Sequence, residues 1–242
     1  MQGPPIQTNF RGAYQAAQDT MTLVFNPQSV GFTNESVSTL SGFCTDEFMQ
    51  KARYPSKRTI LHDLIANYQM YCIDWAISKG CAETYLADFG PLLADGGICE
   101  PPWFNEIEID GHQLELRNLL LGIVLKQTED AFKILFDNRT FLVAFSQTIA
   151  ASIRCSGTRI ARVRPPGWLT NAVAERDAGI CQLCHVPVNS PAKPEPAHFD
   201  HMIPLAAGGT NDPTNFQLVH RSCNLEKGRE PLTTDHFTHR PW

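Results

Sequence analysis

Two ligand pairs near the C-terminus constrain this chain more than anything else in it: Cys181-x2-Cys184 and, after 35 intervening residues, His220-x2-Cys223. Zinc takes four tetrahedral sulfur or nitrogen ligands, and a two-residue spacer lets both ends of one tight turn reach the same ion. One such pair is weak evidence. Two matched pairs specify a Cys3His zinc site, and the segment between them must then fold back on itself. The competing reading makes Cys181 and Cys184 buried or redox-active thiols, and His185 competes with His220 for the fourth ligand place.

Between the pairs lie His198-Phe199-Asp200-His201-Met202-Ile203-Pro204, then Gly208-Gly209, then Asn215 to His220. The β-prone run closed by proline and a Gly-Gly turn reads as the first strand of a hairpin, and Asn215–His220 as the second. A final helix follows, opened by Asn224 with Ser222 as its N-cap. Strict alternation along a strand sends Asp200 and His201 to opposite faces. They serve one site only if the strand bends or ends there.

This order of Cys-x2-Cys, Asp-His, Asn and His-x2-Cys-Asn resembles the HNH (ββα-metal) endonuclease family in its cysteine-bearing form, over residues 168–232. The resemblance implies that His201 is the general base, a role that suits a side chain titrating near neutrality. It implies that Asp200 and Asn224 ligate a catalytic cation. Both offer hard oxygens, which favour Mg2+ or Mn2+ over a softer ion. Asn215 falls on the middle Asn of the motif and would orient His201 or pin the loop between the strands; a plain turn asparagine is its alternative. The family commonly has Cys where His220 stands, and with Asn224 the motif here is an H-N-N variant. Lys227 matches the family's C-N-x-x-K-G ending, and Lys227, Arg229, Arg221 and Arg176 are candidates to hold phosphates. Arg159, Arg162 and Arg164 form a denser cluster that either contacts a nucleic-acid backbone or is a solvated linker.

The rest of the chain carries a different signal. Residues 1–158 hold 11 Lys/Arg against 17 Asp/Glu, whereas residues 159–242 hold 9 against 8 and six of the eight histidines. That asymmetry suggests two domains with different tasks. The first ten residues read as extended and the rest up to 55 carry a mixed signal. Apolar residues from Ile60 to Ala76 recur at helical steps up to Lys79-Gly80, with Ser56 as a candidate N-cap. Gly90-Pro91, Gly96-Gly97 and Pro101-Pro102 break residues 81–111 into loop with a short helix at most. Helical signal resumes over Gln113–Lys126, Thr128–Asp137 and Arg139–Ser152, and again from Leu169 to Ala178. The expected fold is α+β: a mainly α-helical domain at 1–157, a basic, Pro-rich linker at 158–167, and a small zinc-stapled ββα-metal domain at 168–242. The longest apolar run, Leu119 to Leu125, is far below the ~20 residues of a membrane span, and the N-terminus shows no leader pattern. Cys44, Cys72, Cys81, Cys99 and Cys155 then read as buried free thiols in a reducing cytoplasm.

The function expected from the resemblance is metal-dependent hydrolysis of nucleic-acid phosphodiesters, DNA before RNA, leaving 5′-phosphate and 3′-hydroxyl ends. The cofactors would be structural Zn2+ and catalytic Mg2+ or Mn2+. The helical front would regulate or target the nuclease, through a partner protein or a ligand. The alternative is a zinc-stabilised DNA reader without catalysis, which would have no need of Asp200, His201 and Asn224 together. The tail residues His236 and His239 carry no chemical role in either reading.

Overall fold

Small and apolar residues at positions 16, 17, 20, 23 and 24 share one buried stripe of helix α1 (Gly12–Phe25), the first element of a computed structural model that describes residues 12–31, 45–80, 82–105 and 109–232. Helix α2 (Asp46–Arg53) is capped by the Thr45 side chain, which accepts from the Phe48 N–H. Both helices lie in the stretch whose sequence signal is mixed. Helix α3 (Ile60–Lys79) stands where the periodicity puts it. The readings for the first ten residues and for His236, His239, Cys44 and Cys81 lie outside the described residues.

Helix α4 (Ala82–Asp95) runs through Gly90-Pro91, where the sequence predicts loop. An interior proline costs a helix roughly 3 kcal/mol. Phe89, Leu92 and Leu93 are fully buried on the same helix, and each such side chain contributes about 1.5–3 kcal/mol. Burial therefore outweighs the proline. Helix α5 (Gln113–Phe136) is likewise one helix rather than two. Thr128, where the sequence signal starts a second helix, donates its hydroxyl to the Val124 carbonyl at 2.7 Å and stays buried in mid-helix. Met70, Ile73 and Ala76 of α3 share one core with Phe89, Leu92 and Leu93 of α4 and Leu116, Leu120 and Ile123 of α5.

The chain divides into two compact units, residues 1–40 with 61–135 and residues 41–60 with 136–242. The linker expected at 158–167 thus falls inside the second unit. So does helix α6 (Arg139–Cys155), whose Phe141, Leu142, Phe145, Ile149 and Ile153 are buried. After an extended strap at 156–166, helix α7 (Gly167–Arg176) sets Leu169 and Val173 against Phe216 and Leu218. Strands β1 (Ala197–His201) and β2 (Phe216–His220) pair antiparallel, with Ala197 opposite His220 and His201 opposite Phe216. Helix α8 (Arg221–Lys227) follows β2 directly.

The connection between the strands is no tight hairpin. It spans residues 202–215 with two 3-10 turns, Leu205–Ala207 and Pro213–Asn215. Gly208 and Gly209 serve close packing in it. At Gly208, with φ at 90°, a Cβ would lie 2.6 Å from the Ala150 carbonyl of α6, and at Gly209 it would collide with the Ile203 carbonyl. No helix among the described residues is long and apolar enough to cross a membrane. Of the remaining cysteines, Cys72 is half-buried while Cys99 and Cys155 are exposed, so the expectation of buried thiols fails at those two.

Candidate metal centre and active site

The turn after Cys181 is closed by the His185 N–H donating to the Cys181 carbonyl at 2.9 Å and the Cys181 N–H donating to Val186 at 3.0 Å. It places both cysteine sulfurs on one side, facing His220 at the end of β2 and Cys223 in the first turn of α8. The ligand atoms of Cys181, Cys184, His220 and Cys223 all lie within 4.8 Å of one another. His220 Nδ1 is 3.3 Å from Cys184 Sγ and 3.9 Å from Cys223 Sγ. A tetrahedral edge built from Zn–N ≈ 2.0 Å and Zn–S ≈ 2.3 Å is about 3.5 Å, so the four atoms fit a zinc ion with small adjustments. His185 takes a left-handed backbone conformation, φ 61°, in the turn and does not join the four. This leaves His220 as the fourth ligand.

The surroundings favour thiolate at Cys181, whereas burial pushes the Cys184 thiol up. Burial alone would raise the Cys181 thiol, but backbone N–H groups of Cys184, Leu183 and His220 aimed at its sulfur more than offset this and bring it down to about 6. The Lys193 ammonium lies 3.0 Å from Cys223 Sγ, a cation beside a ligand set whose three thiolates exceed the charge of one Zn2+. Ser222 is not the cap of α8. The helix begins at Arg221, and the Ser222 N–H is taken by the Glu195 carboxylate at 2.9 Å.

Strand β1 ends at His201, which resolves the alternation problem. Asn215 ends it: its carbonyl accepts from the Met202 N–H at 2.7 Å, its side-chain oxygen accepts from the Ile203 N–H, and its amide donates to the carbonyls of Ile203 and Thr210. Asn215 therefore pins the loop. None of its side-chain bonds goes to His201. That contact belongs to Asn211, a fully buried residue of the same turn-rich stretch, whose Oδ1 is 3.1 Å from His201 Nε2. The Asn211 amide nitrogen donates to two carbonyls, Arg53 at 2.9 Å and Ala161 at 2.8 Å. Two acceptors on one side leave Oδ1 as the atom that meets the imidazole, so Nε2 carries the ring proton and Nδ1 the lone pair. Burial, the largest influence, lowers the proton affinity of His201 to a pKa of about 4. Asn211 opposes that shift, and the Arg162 and Lys227 charges add to it.

Asp200 pairs with Gln217 across the sheet. Its Oδ2 accepts from Gln217 Nε2 at 3.0 Å and from Lys227 Nζ at 2.8 Å, and Arg139 holds the far end of Gln217 at 2.6 Å. Its Oδ1 is left open among the described residues. Asn224 donates its amide to His198 Nδ1 at 2.8 Å, which leaves its own Oδ1 open as well. Asp200, His201 and Asn224 line one cleft of about 360 Å3 with Arg162 and Arg229. Two hard oxygens beside an unprotonated imidazole fit a weakly held Mg2+ or Mn2+.

Two of the four candidate phosphate ligands are occupied elsewhere. Lys227 has only 5% of its side chain exposed and spends its ammonium on Asp200 and on the His201 carbonyl at 2.9 Å. Arg176 grips Asp177 with two nitrogens, at 2.8 and 3.1 Å, and donates to the Phe216 carbonyl at 2.7 Å, while Asp177 accepts from the Leu218 N–H. It ties α7 to β2. Arg221 and Arg229 are exposed, and Arg229 lies at the cleft. Asn211, Gln217, Arg139 and His198 went unrecognised in the sequence because each acts through a tertiary contact. The TNDPTN stretch marks a turn and no more.

A Cys3His cluster where a two-stranded sheet meets a helix, with Asp-His at the strand end, defines a small ββα module with the ligands to hold a metal ion. Residues 181–230 match the family described as HNH endonuclease, so the C-terminal part of the chain is an HNH domain, of a class that cuts nucleic acid. No curated protein and no solved structure matches the chain.

Proposed function

We propose that this protein is a metal-dependent endonuclease that hydrolyses phosphodiester bonds of DNA. The observation that carries this reading is the contact of Asn211 Oδ1 with His201 Nε2, from which the imidazole tautomer follows. Asn211 meets Nε2, which leaves Nδ1 as the basic atom, and His201 lines one cleft with Asp200 and Asn224, each of which keeps one side-chain oxygen open among the described residues. His201 Nδ1 would take a proton from the attacking water, and its low pKa keeps it available at neutral pH. Asp200 and Asn224 would hold a divalent cation, which when bound stabilises charge on the phosphodiester and the leaving 3′ oxygen. Gln217 and Arg139 keep the Asp200 carboxylate fixed, and Asn215 keeps the loop end in place. Zinc would be structural, tying β2 and α8 to the turn at Cys181.

The reading as a silent DNA reader has one feature in its favour, the Lys227 ammonium already seated on Asp200. The open oxygens on both Asp200 and Asn224 weigh against it. The first unit, within the more acidic part of the chain, would regulate or target the nuclease. The test is supercoiled plasmid, with an RNA transcript in parallel, incubated with Mg2+, Mn2+ or neither. Cutting that requires the added cation and drops by roughly 10²–10⁴ in His201→Ala supports the proposal. His201→Ala cutting at the wild-type rate would end it.

A further inference from the structure

The strap at 156–166 carries Arg159, Arg162 and Arg164 and no acidic residue, and Arg154 stands just before it in the last turn of α6. The side chains of Arg159, Arg162 and Arg164 are exposed and form no hydrogen bond or ion pair among the described residues. The strap is nevertheless held firmly. Ile160 is buried, Val163 is half-buried, and the Ala161 carbonyl is bound by Asn211. Arg154 is anchored to the Ala207 carbonyl at 2.7 Å. A solvated linker needs no such pinning.

Three clefts follow the strap. The first, about 510 Å3, is bordered by Arg154 and Arg159; the second, about 360 Å3, by Arg162, Arg229 and the Asp200–His201–Asn224 group; the third, about 780 Å3, by Arg162, Arg164 and Phe199. The first and second share Leu205 and Ala206, and the second and third share Arg162 and His201. One depression thus runs along the strap with the candidate catalytic groups at its middle.

We propose that this strap, which lies outside the segment matching the nuclease family, is a phosphate track that holds the sugar–phosphate backbone of DNA on both sides of the bond to be cut. The inference rests on the nuclease reading. From Arg159 to Arg164 the extended chain covers roughly 17 Å, enough for about five phosphates at ~3.4 Å of helix axis each on one strand. Three unpaired guanidinium groups in that length repel one another, and a polyanion relieves the repulsion. Arginine binds phosphate through two parallel N–H donors, so each of the three can grip one phosphate.

The experiment uses the full-length, zinc-loaded chain in a His201→Ala background, so that DNA is bound and not consumed. Anisotropy of a fluorescent 25-base-pair duplex gives the slope of log K against log salt. Replacing Arg159, Arg162 and Arg164 together by Gln is expected to flatten the slope by about 2–3, since each phosphate contact contributes ~0.9. A charge-matched control, Lys79, Lys126 and Lys133 to Gln on exposed positions of the first unit, is expected to leave it unchanged. Zinc content and thermal unfolding report whether each variant is folded. An unchanged slope in the arginine variant, or an equal loss in the lysine control, overturns the track. If the wild-type protein still cuts plasmid in that case, the nuclease reading survives alone. A wild-type protein that neither binds nor cuts DNA sinks both.

Discussion

Replacing Asn211 by Ala tests the account of the active site most directly. The side chain is fully buried and makes three hydrogen bonds, to the Arg53 carbonyl, the Ala161 carbonyl and His201 Nε2. Each such bond contributes about 1 kcal/mol net, and partners left unsatisfied in the interior cost more, so the loss should be about 3 kcal/mol. Against a typical domain stability of ~5–15 kcal/mol, the variant still folds. With a urea m-value of ~1–3 kcal/mol per M, the unfolding midpoint should fall by about 1–3 M. The second consequence is chemical. Without Asn211 the imidazole loses the acceptor that fixes its ring, so single-turnover cleavage should slow well beyond any fraction unfolded, with duplex binding retained. Urea denaturation of the zinc-loaded protein and single-turnover rates at saturating enzyme measure the two effects separately. A midpoint within about 0.3 M of wild type, a shift of about 0.3–0.9 kcal/mol, together with an unaltered rate, would refute the assignment of Asn211 as the residue that positions His201.

Dialysed protein is expected to retain one zinc per chain by metal analysis, with an apparent binding energy of ~10–16 kcal/mol; Cys181→Ser should lose it together with the fold of the second unit, whereas His220→Cys keeps it. The folded pKa of His201, about 4, lies below its ordinary value of 6.5, so above pH 6.5 the ring is neutral in both states and contributes nothing to pH dependence. As pH falls from 6.5 to 4 the unfolded chain takes a proton that the folded chain refuses, and stability should drop by up to about 3 kcal/mol, read by denaturation at each pH. In the same window the base stays unprotonated, so a cleavage profile with its acid limb centred at 6.5 would contradict the buried, neutral imidazole. A fragment beginning at Arg159 lacks the Ala52 and Arg53 carbonyls that hold Asn211, the Ile60 N–H that binds Asp212, and Arg139. It should be poorly folded and inactive on plasmid, and wild-type cutting by it would show that these contacts are dispensable.

The sequence alone was enough to pick out the Cys3His cluster and the two strands. Metal coordination accepts few residue types and short spacers, and both leave a mark on the linear chain. The long helix at Ile60–Lys79 was legible for a similar reason, since its apolar period is local. Helix α4 was not, because the burial that carries it through Gly90-Pro91 comes from residues distant in sequence. Nor was the boundary between the units. Arg139 acts on Gln217 of β2, and the carbonyls of Ala52, Arg53 and Ala161 act on Asn211 of the loop before it, through hydrogen bonds that span from 50 to 159 positions. Composition cannot encode a backbone carbonyl as a partner. The same limit decided which basic residues are free: Lys227 and Arg176 read as phosphate ligands by position, but the fold buries them against Asp200 and Asp177 and leaves the strap arginines exposed. Residue type sets what a side chain can bind. Only tertiary packing decides which partner reaches it first, because a buried charge must be paired where it lies.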